Sequence, residues 1–192
     1  AAEDVPWLVA TVPPQHMYGM ELSVLLPLLD RMAVHAGRPL FPADIARALA
    51  DVPAPRVLIS TPVHLRALVD STQSFPDVAA VVSATAPLDQ ALAQAVEQKL
   101  RAPLLEMFGS TETCVIATRR TAAEDRWQSY DGVSLEPSEH NTRVNAPWFA
   151  HPVVLQDVIE CVGAREFIVR GRNADMIEVA GKRASLADLT RR

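Results

Sequence analysis

From the start of the chain to about residue 110, short apolar runs alternate with segments of helical period, which is what βα units feeding a parallel sheet require. The candidate strands are Trp7 to Val12, Met32 to Ala36, Arg56 to Ser60, Val78 to Ser83 and Leu104 to Phe108. Between them, Leu88 to Leu100 carries Leu88, Ala91, Leu92, Ala95, Val96 and Leu100 at three- and four-residue spacing, with polar residues on the other face. Pro87 stands where a first-turn proline is tolerated. A second helix is expected over Pro62 to Val69, and a buried one between Met20 and Leu29 that ends or kinks at Pro27.

Past about residue 120 the pattern changes. Arg126 to Pro152 is rich in Pro, Asn, Ser and aromatic residues, and strand-like Pro152 to Cys161 and Glu166 to Arg170 flank a turn at Val162-Gly163-Ala164 that would pair them as a hairpin. The expected fold class is α/β: a largely parallel sheet flanked by helices, then a small β-rich subdomain. The expected divisions are residues 1–120, 121–183 and a closing segment 184–192.

With 192 residues and 49% hydrophobic side chains the chain can bury one substantial core or two small ones. A net charge of -5 removes the basic field that nonspecific nucleic-acid binding needs, so no nucleic-acid partner is expected. No apolar run reaches the ~20 residues of a membrane span, and Cys114 and Cys161 match neither a metal-ligand spacing nor a disulfide framework. A cytoplasmic location is the resulting expectation.

Three segments can carry chemistry. In Glu106-Met107-Phe108-Gly109-Ser110-Thr111-Glu112, an apolar strand breaks at glycine into two hydroxyls and a carboxylate. Placed at the C-terminal edge of a parallel sheet, such a turn offers donors to a phosphate and a carboxylate to Mg²⁺. The same residues also suit a plain helix start, with Ser110 as N-cap and Glu112 in the first turn. Gln15-His16-Met17-Tyr18-Gly19 follows a strand and two prolines, where His16 can either line a ligand pocket or simply pack. Arg170-Gly171-Arg172-Asn173-Ala174-Asp175 and Val179-Ala180-Gly181-Lys182-Arg183 set basic residues around glycines, which suits an anion or a solvated hairpin end.

Taken in order, Ser83-Ala84-Thr85-Ala86-Pro87-Leu88, then Phe-Gly-Ser-Thr-Glu, then Gly-Arg and a distal Gly-Lys-Arg, the series resembles the motifs of the adenylate-forming superfamily of acyl-CoA synthetases, adenylation domains and luciferases, along nearly the whole chain. The resemblance implies the AMP-binding part of a large domain. Phe108, beside Met107, would stack on adenine, and Ala84, Thr85, Ala86 and Pro87 would face the other side of the purine. Gly109 would line the acyl tunnel next to Ser110, while Thr111 and Glu112 would meet phosphate and metal. Asp157, fourteen residues before Gly171, falls where the family holds the ribose hydroxyls, and Arg172 would be a second ribose or phosphate contact. His16 matches the acyl-pocket position.

The implied catalytic residues are Thr111, Glu112 and His16. The implied reaction makes an acyl adenylate from ATP and a small carboxylic acid, aryl or acyl, and passes the acyl group to the thiol of coenzyme A or of phosphopantetheine on an acyl carrier protein. Mg²⁺ is the implied metal and Glu112 its ligand. Some family features find no counterpart: the Ser/Thr/Gly-rich phosphate loop, and the C-terminal domain with its catalytic lysine, since neither Lys99 nor Lys182 matches that lysine. Gln156, Ala174 and Glu178 replace habitual residues, which bears on ribose geometry and hinge rotation. The chain alone is therefore expected to be inactive, and a catalytically silent nucleotide-binding or interaction module of the same fold is the alternative.

Overall fold

The computed structural model describes residues 5–171, and Arg172, 176–179 and 182–185 by their backbone. The chain divides into two compact units, 1–108 with 119–124 and 109–118 with 125–192.

In the first unit the strands stand in the order β2-β1-β3-β4-β5, all parallel. They are β1 (Trp7–Ala10), β2 (Ala33–Val34), β3 (Arg56–Ser60), β4 (Ala80–Ser83) and β5 (Leu104–Ser110). Central strands of a parallel sheet are buried on both faces, so they read as continuous apolar runs. Leu58 and Val81 contribute to one core with Leu65, Leu68, Leu92 and Val96 of the helices α4 (Pro62–Asp70) and α5 (Gln90–Leu100). Ile59 and Val82 face the opposite cluster with Tyr18 and Leu22. The α5 helix begins where Asp89 accepts a hydrogen bond from the Leu92 N–H at 2.7 Å, and that bond holds the Asp89 carboxyl below its usual range.

Two features of this unit differ from the sequence reading. Pro42–Ala50 is a helix, α3, that starts with proline in its first turn and buries Ile45, Ala48 and Leu49. The helix expected to be buried over Met20 to Leu29 is helical but not buried along its length. It runs as α1 (Met17–Met20), a π-helical stretch (Glu21–Leu25) and α2 (Leu26–Leu29), with Pro27 in the first turn of the last piece. Leu28 and Leu29 are 76% and 85% exposed. Apolar character identified the helix but not which face would find a partner.

In the second unit β6 (Cys114–Arg119), β7 (Trp127–Ser129), β12 (Glu166–Arg172) and β11 (Asp157–Cys161) pair in that order, antiparallel. A separate antiparallel sheet joins β8 (Ser134–Pro137), β9 (Thr142–Asn145) and β10 (Val153–Leu155). Two more strands, β13 (Met176–Val179) and β14 (Lys182–Ser185), pair with each other. The expected β11–β12 hairpin is present, closed by Val162 and Gly163 N–H groups donating to the Glu166 carbonyl. The single run expected over Pro152 to Cys161 is two strands in different sheets, parted at Gln156. Trp127 and Phe167 are cross-strand partners whose rings stack with centroids 6.4 Å apart.

Candidate functional site

The parallel strands of the first unit end in a row of buried polar side chains. Ser60 is the register partner of Ser83, and Ser83 of Glu106. Ser60 and Ser83 are fully buried and Glu106 is 3% exposed. Thr11, just past β1, shares hydrogen bonds with the Ser60 hydroxyl at 3.0 Å and His64 Nδ1 at 3.1 Å. Burial lowers the pKa of His64, which favours the neutral imidazole as a partner for the Thr11 and Thr61 hydroxyls, each 3.1 Å from Nδ1. This row lies at the C-terminal edge of the sheet, where open α/β folds bind ligands.

Directly after Ser83 the chain forms the loop Ala84-Thr85-Ala86-Pro87. Ala84 is buried, while Thr85, Ala86 and Pro87 are exposed. Thr85 has φ 83, a left-handed conformation that a β-branched residue adopts only when its surroundings impose it. Phe108, half-buried, stands two residues beyond Glu106 on β5. His16 is exposed at the N-cap of α1, with its carbonyl accepting from Met20 N–H at 2.7 Å and no side-chain cap bond.

The Gly-Ser-Thr-Glu segment belongs to the second unit from Gly109 onward, and it is not a helix start. The strand runs through Gly109 and Ser110, turns over three residues and returns as β6, which the sequence reading had not placed. The Ser110 hydroxyl accepts from the Glu112 and Thr113 N–H groups, both at 3.3 Å, and the Thr113 hydroxyl accepts from the Ser110 N–H at 2.9 Å. Thr113 in turn donates to the Cys114 carbonyl at 2.9 Å and is fully buried. Sequence reasoning passed over Thr113, although a hydroxyl three residues after Ser110 is the spacing of a reciprocal turn lock.

The lock leaves the side chains of Thr111 and Glu112 exposed. A hydrogen bond from the Ser110 side chain, then Glu112's own N–H, hold the Glu112 carboxyl below its usual range, so it stays ionised to lower pH than a free glutamate. Mg²⁺ keeps most of its waters and is held through one or two carboxylates plus substrate phosphates, so one exposed, ionised carboxylate beside a hydroxyl fits it. No group of three or more potential metal ligands occurs among the described residues.

Asp157 opens β11 and Arg172 closes β12, and the antiparallel register makes them direct partners across the ladder. The ladder shifts register between Val158 and Ile159, and Gly171 at φ 132 is the residue that can follow such an irregularity without strain. The Asp157 carbonyl is held by the Thr142 hydroxyl at 2.8 Å. Of the positions where habitual residues are replaced, Ala174 lies outside the described residues and Glu178 is described by its backbone alone; Gly181 and residues 186–192 also lie outside the described residues. No helix among the described residues is long and apolar enough to cross a membrane.

This arrangement, a parallel sheet flanked by helices together with a small β unit, is shared with adenylate-forming enzymes of known structure. O-succinylbenzoate coenzyme A synthetase (MenE) from Bacillus subtilis, in complex with ATP and magnesium, superimposes with a TM-score of 0.78 at 16% identity, over 96% of this chain and 45% of that one. In sequence, 4-coumarate–CoA ligase of Halorhodospira halophila is 30% identical over 97% of this chain and 46% of its own length. The corresponding ligase of Rhodobacter capsulatus is 28% identical over 91% of this chain and 43% of its own. The chain thus spans less than half the length of these relatives. Residues 2–143 match the family described as AMP-binding enzyme, and the chain belongs to that family. Asp157 and Arg172 lie past the matched stretch.

Proposed function

We propose that this chain supplies the nucleotide-binding surface of an AMP-forming acid–thiol ligase. Such an enzyme activates an aryl or acyl carboxylic acid with ATP as an acyl adenylate and delivers it to coenzyme A or a carrier-protein thiol. The observation that carries the reading is the β5–β6 turn, whose internal lock spends Ser110 and Thr113 on holding the backbone and leaves Thr111 and an ionised Glu112 facing outward. Membership of the AMP-binding family supports it, as do the ATP and magnesium bound by the Bacillus subtilis neighbour.

The roles follow from the chemistry of the side chains. Bound Mg²⁺ would neutralise charge that develops on the phosphates. Glu112 would hold that ion and Thr111 would donate to a phosphate oxygen, both from a turn that need not reorganise. Phe108 and the Ala84–Pro87 loop would sandwich the adenine. The Asp157 carboxylate would accept from the ribose hydroxyls, with Arg172 across the ladder as a cationic donor. Exposed His16 and partly buried Met17 would line the acid pocket, with Tyr18 packed in the core behind them, which favours an aryl or medium acyl acid over a charged one.

The metal role has its own test. ATP titrated into the chain by calorimetry should bind at least about tenfold more tightly with Mg²⁺ than with EDTA, and Glu112→Gln should abolish that gain while leaving affinity for metal-free AMP within about twofold. Full retention of the Mg²⁺ gain by Glu112→Gln would remove Glu112 from the metal site. A folded chain that binds no nucleotide would favour a silent module of the same fold.

A further inference from the structure

Glu106 is a carboxylate 3% exposed, inside a unit whose neighbouring strands contribute only serines to the same row. Both of its oxygens accept hydrogen bonds. Oε1 accepts from the backbone N–H of Leu88 at 3.1 Å. Oε2 accepts from Thr121 Oγ1 at 2.6 Å and from Arg119, whose Nε and Nη2 both approach to 2.8 Å. Arg119 is itself largely buried, with 16% of its side chain exposed. A buried ion pair is not a cheap way to stabilise a core, because desolvation offsets most of the attraction and apolar residues of like volume serve as well. Retaining one here calls for another reason.

The geometry supplies it. Leu88 is the first residue after the Ala84–Pro87 loop, and Glu106 lies two positions before Phe108, so strand alternation sets Glu106 and Phe108 on the same side of β5. The loop carries Thr85 at φ 83, and such strain persists only under restraint from outside the loop. Strand β4 restrains the loop at Ser83 through its register with β3 and β5. The Leu88 N–H to Glu106 bond restrains the other end, and Arg119 and Thr121 keep the carboxylate from turning.

We infer that Glu106 is a positioning residue of the nucleotide site: it fixes the separation between the Ala84–Pro87 loop and Phe108, the two faces between which a purine ring would slide. The inference rests on the nucleotide-binding reading given above. Glu106 touches no substrate and acts through the loop.

Glu106→Gln is the sharpest test, since it keeps the shape but must turn an NH₂ toward either the Leu88 N–H or the Arg119 and Thr121 donors. AMP affinity by calorimetry should fall at least about tenfold, and the Leu88 amide should exchange with deuterium at least about tenfold faster than in the parent. Thr121→Val, a milder variant that keeps the charge pair, should weaken AMP by about threefold. Leu68→Ala, which opens the fully buried core beneath α4, should lower the melting temperature and leave AMP affinity of the folded protein unchanged. Equal AMP affinity in Glu106→Gln and the parent, or an unchanged Leu88 exchange rate, overturns the inference alone. Weakening of AMP by Leu68→Ala to the same degree also overturns it, by reducing Glu106 to a matter of stability. A parent chain that binds no AMP overturns the inference together with the nucleotide site on which it stands.

Discussion

Gly109→Ala is expected to destabilise the second unit by about 3 kcal/mol or more, measured by urea denaturation followed through tryptophan fluorescence. A Cβ at this position would stand 2.0 Å from the Cys114 carbonyl oxygen and 2.8 Å from its carbon. Both are backbone atoms, so no side chain can swing aside. Nor can the returning strand retreat, because the turn between is tied by the Ser110 and Thr113 hydrogen bonds and Cys114 is already left-handed at φ 58. The glycine is therefore demanded by close approach of two chain segments. Since the turn that it permits is the one carrying Thr111 and Glu112, folded Gly109→Ala protein should also lose Mg²⁺-dependent nucleotide binding. A cost below about 0.5 kcal/mol would show that the turn is pliant and that its lock does not hold the two side chains in place.

The second large effect is expected at Phe167. Its side chain is fully buried and stacks on Trp127, its partner across the β7–β12 ladder, at 6.4 Å and 15° between ring planes. Truncation to alanine removes a whole ring from a fully buried site and should cost about 3–5 kcal/mol. The same strand ends at Arg172 opposite Asp157, so loosening it at Phe167 loosens the pairing that would grip the ribose. Val154→Ala, on a half-exposed side chain of the other sheet, is the matched control and should stay within about 0.5 kcal/mol of the parent. Similar losses in the two variants would mean that the Trp127–Phe167 stack does not organise this unit.

The legible parts of the fold were those where one pattern ruled out the others. Arg56–Ser60 and Ala80–Ser83 are short, apolar and β-branched, and α5 keeps its apolar stripe over three turns. The α3 helix was missed although its signal is present: Pro42 at the start, then Ile45, Ala48 and Leu49 at helical spacing, in a segment too short to stand out. The Ser110 turn was ambiguous for a deeper reason. Ser-Thr-Glu after a glycine serves a helix N-cap and a strand-reversing turn equally well, and Thr113, buried only in the folded turn, decides between them. Exposure of Leu28 and Leu29 could not be read at all, because an apolar stripe does not say which neighbours will cover it.

For the candidate site, the hairpin turn at Val162-Gly163-Ala164 made the β11–β12 pairing legible, and the ladder sets Asp157 opposite Arg172 by backbone register; their role at a ribose rests on the family resemblance. The Glu106 network was invisible beforehand. Its donors, Leu88, Arg119 and Thr121, each stand 13 or more residues from Glu106, and nothing in the local run Leu105-Glu106-Met107 announces a buried charge.

The most direct test of an adenylate site on this chain is a calorimetric titration of AMP, with Mg²⁺ present, into the parent and into Asp157→Ala. Saturable binding by the parent that weakens at least about tenfold in a folded Asp157→Ala protein is the predicted result. Equal affinity in the two proteins, or no binding by a folded parent, would contradict it.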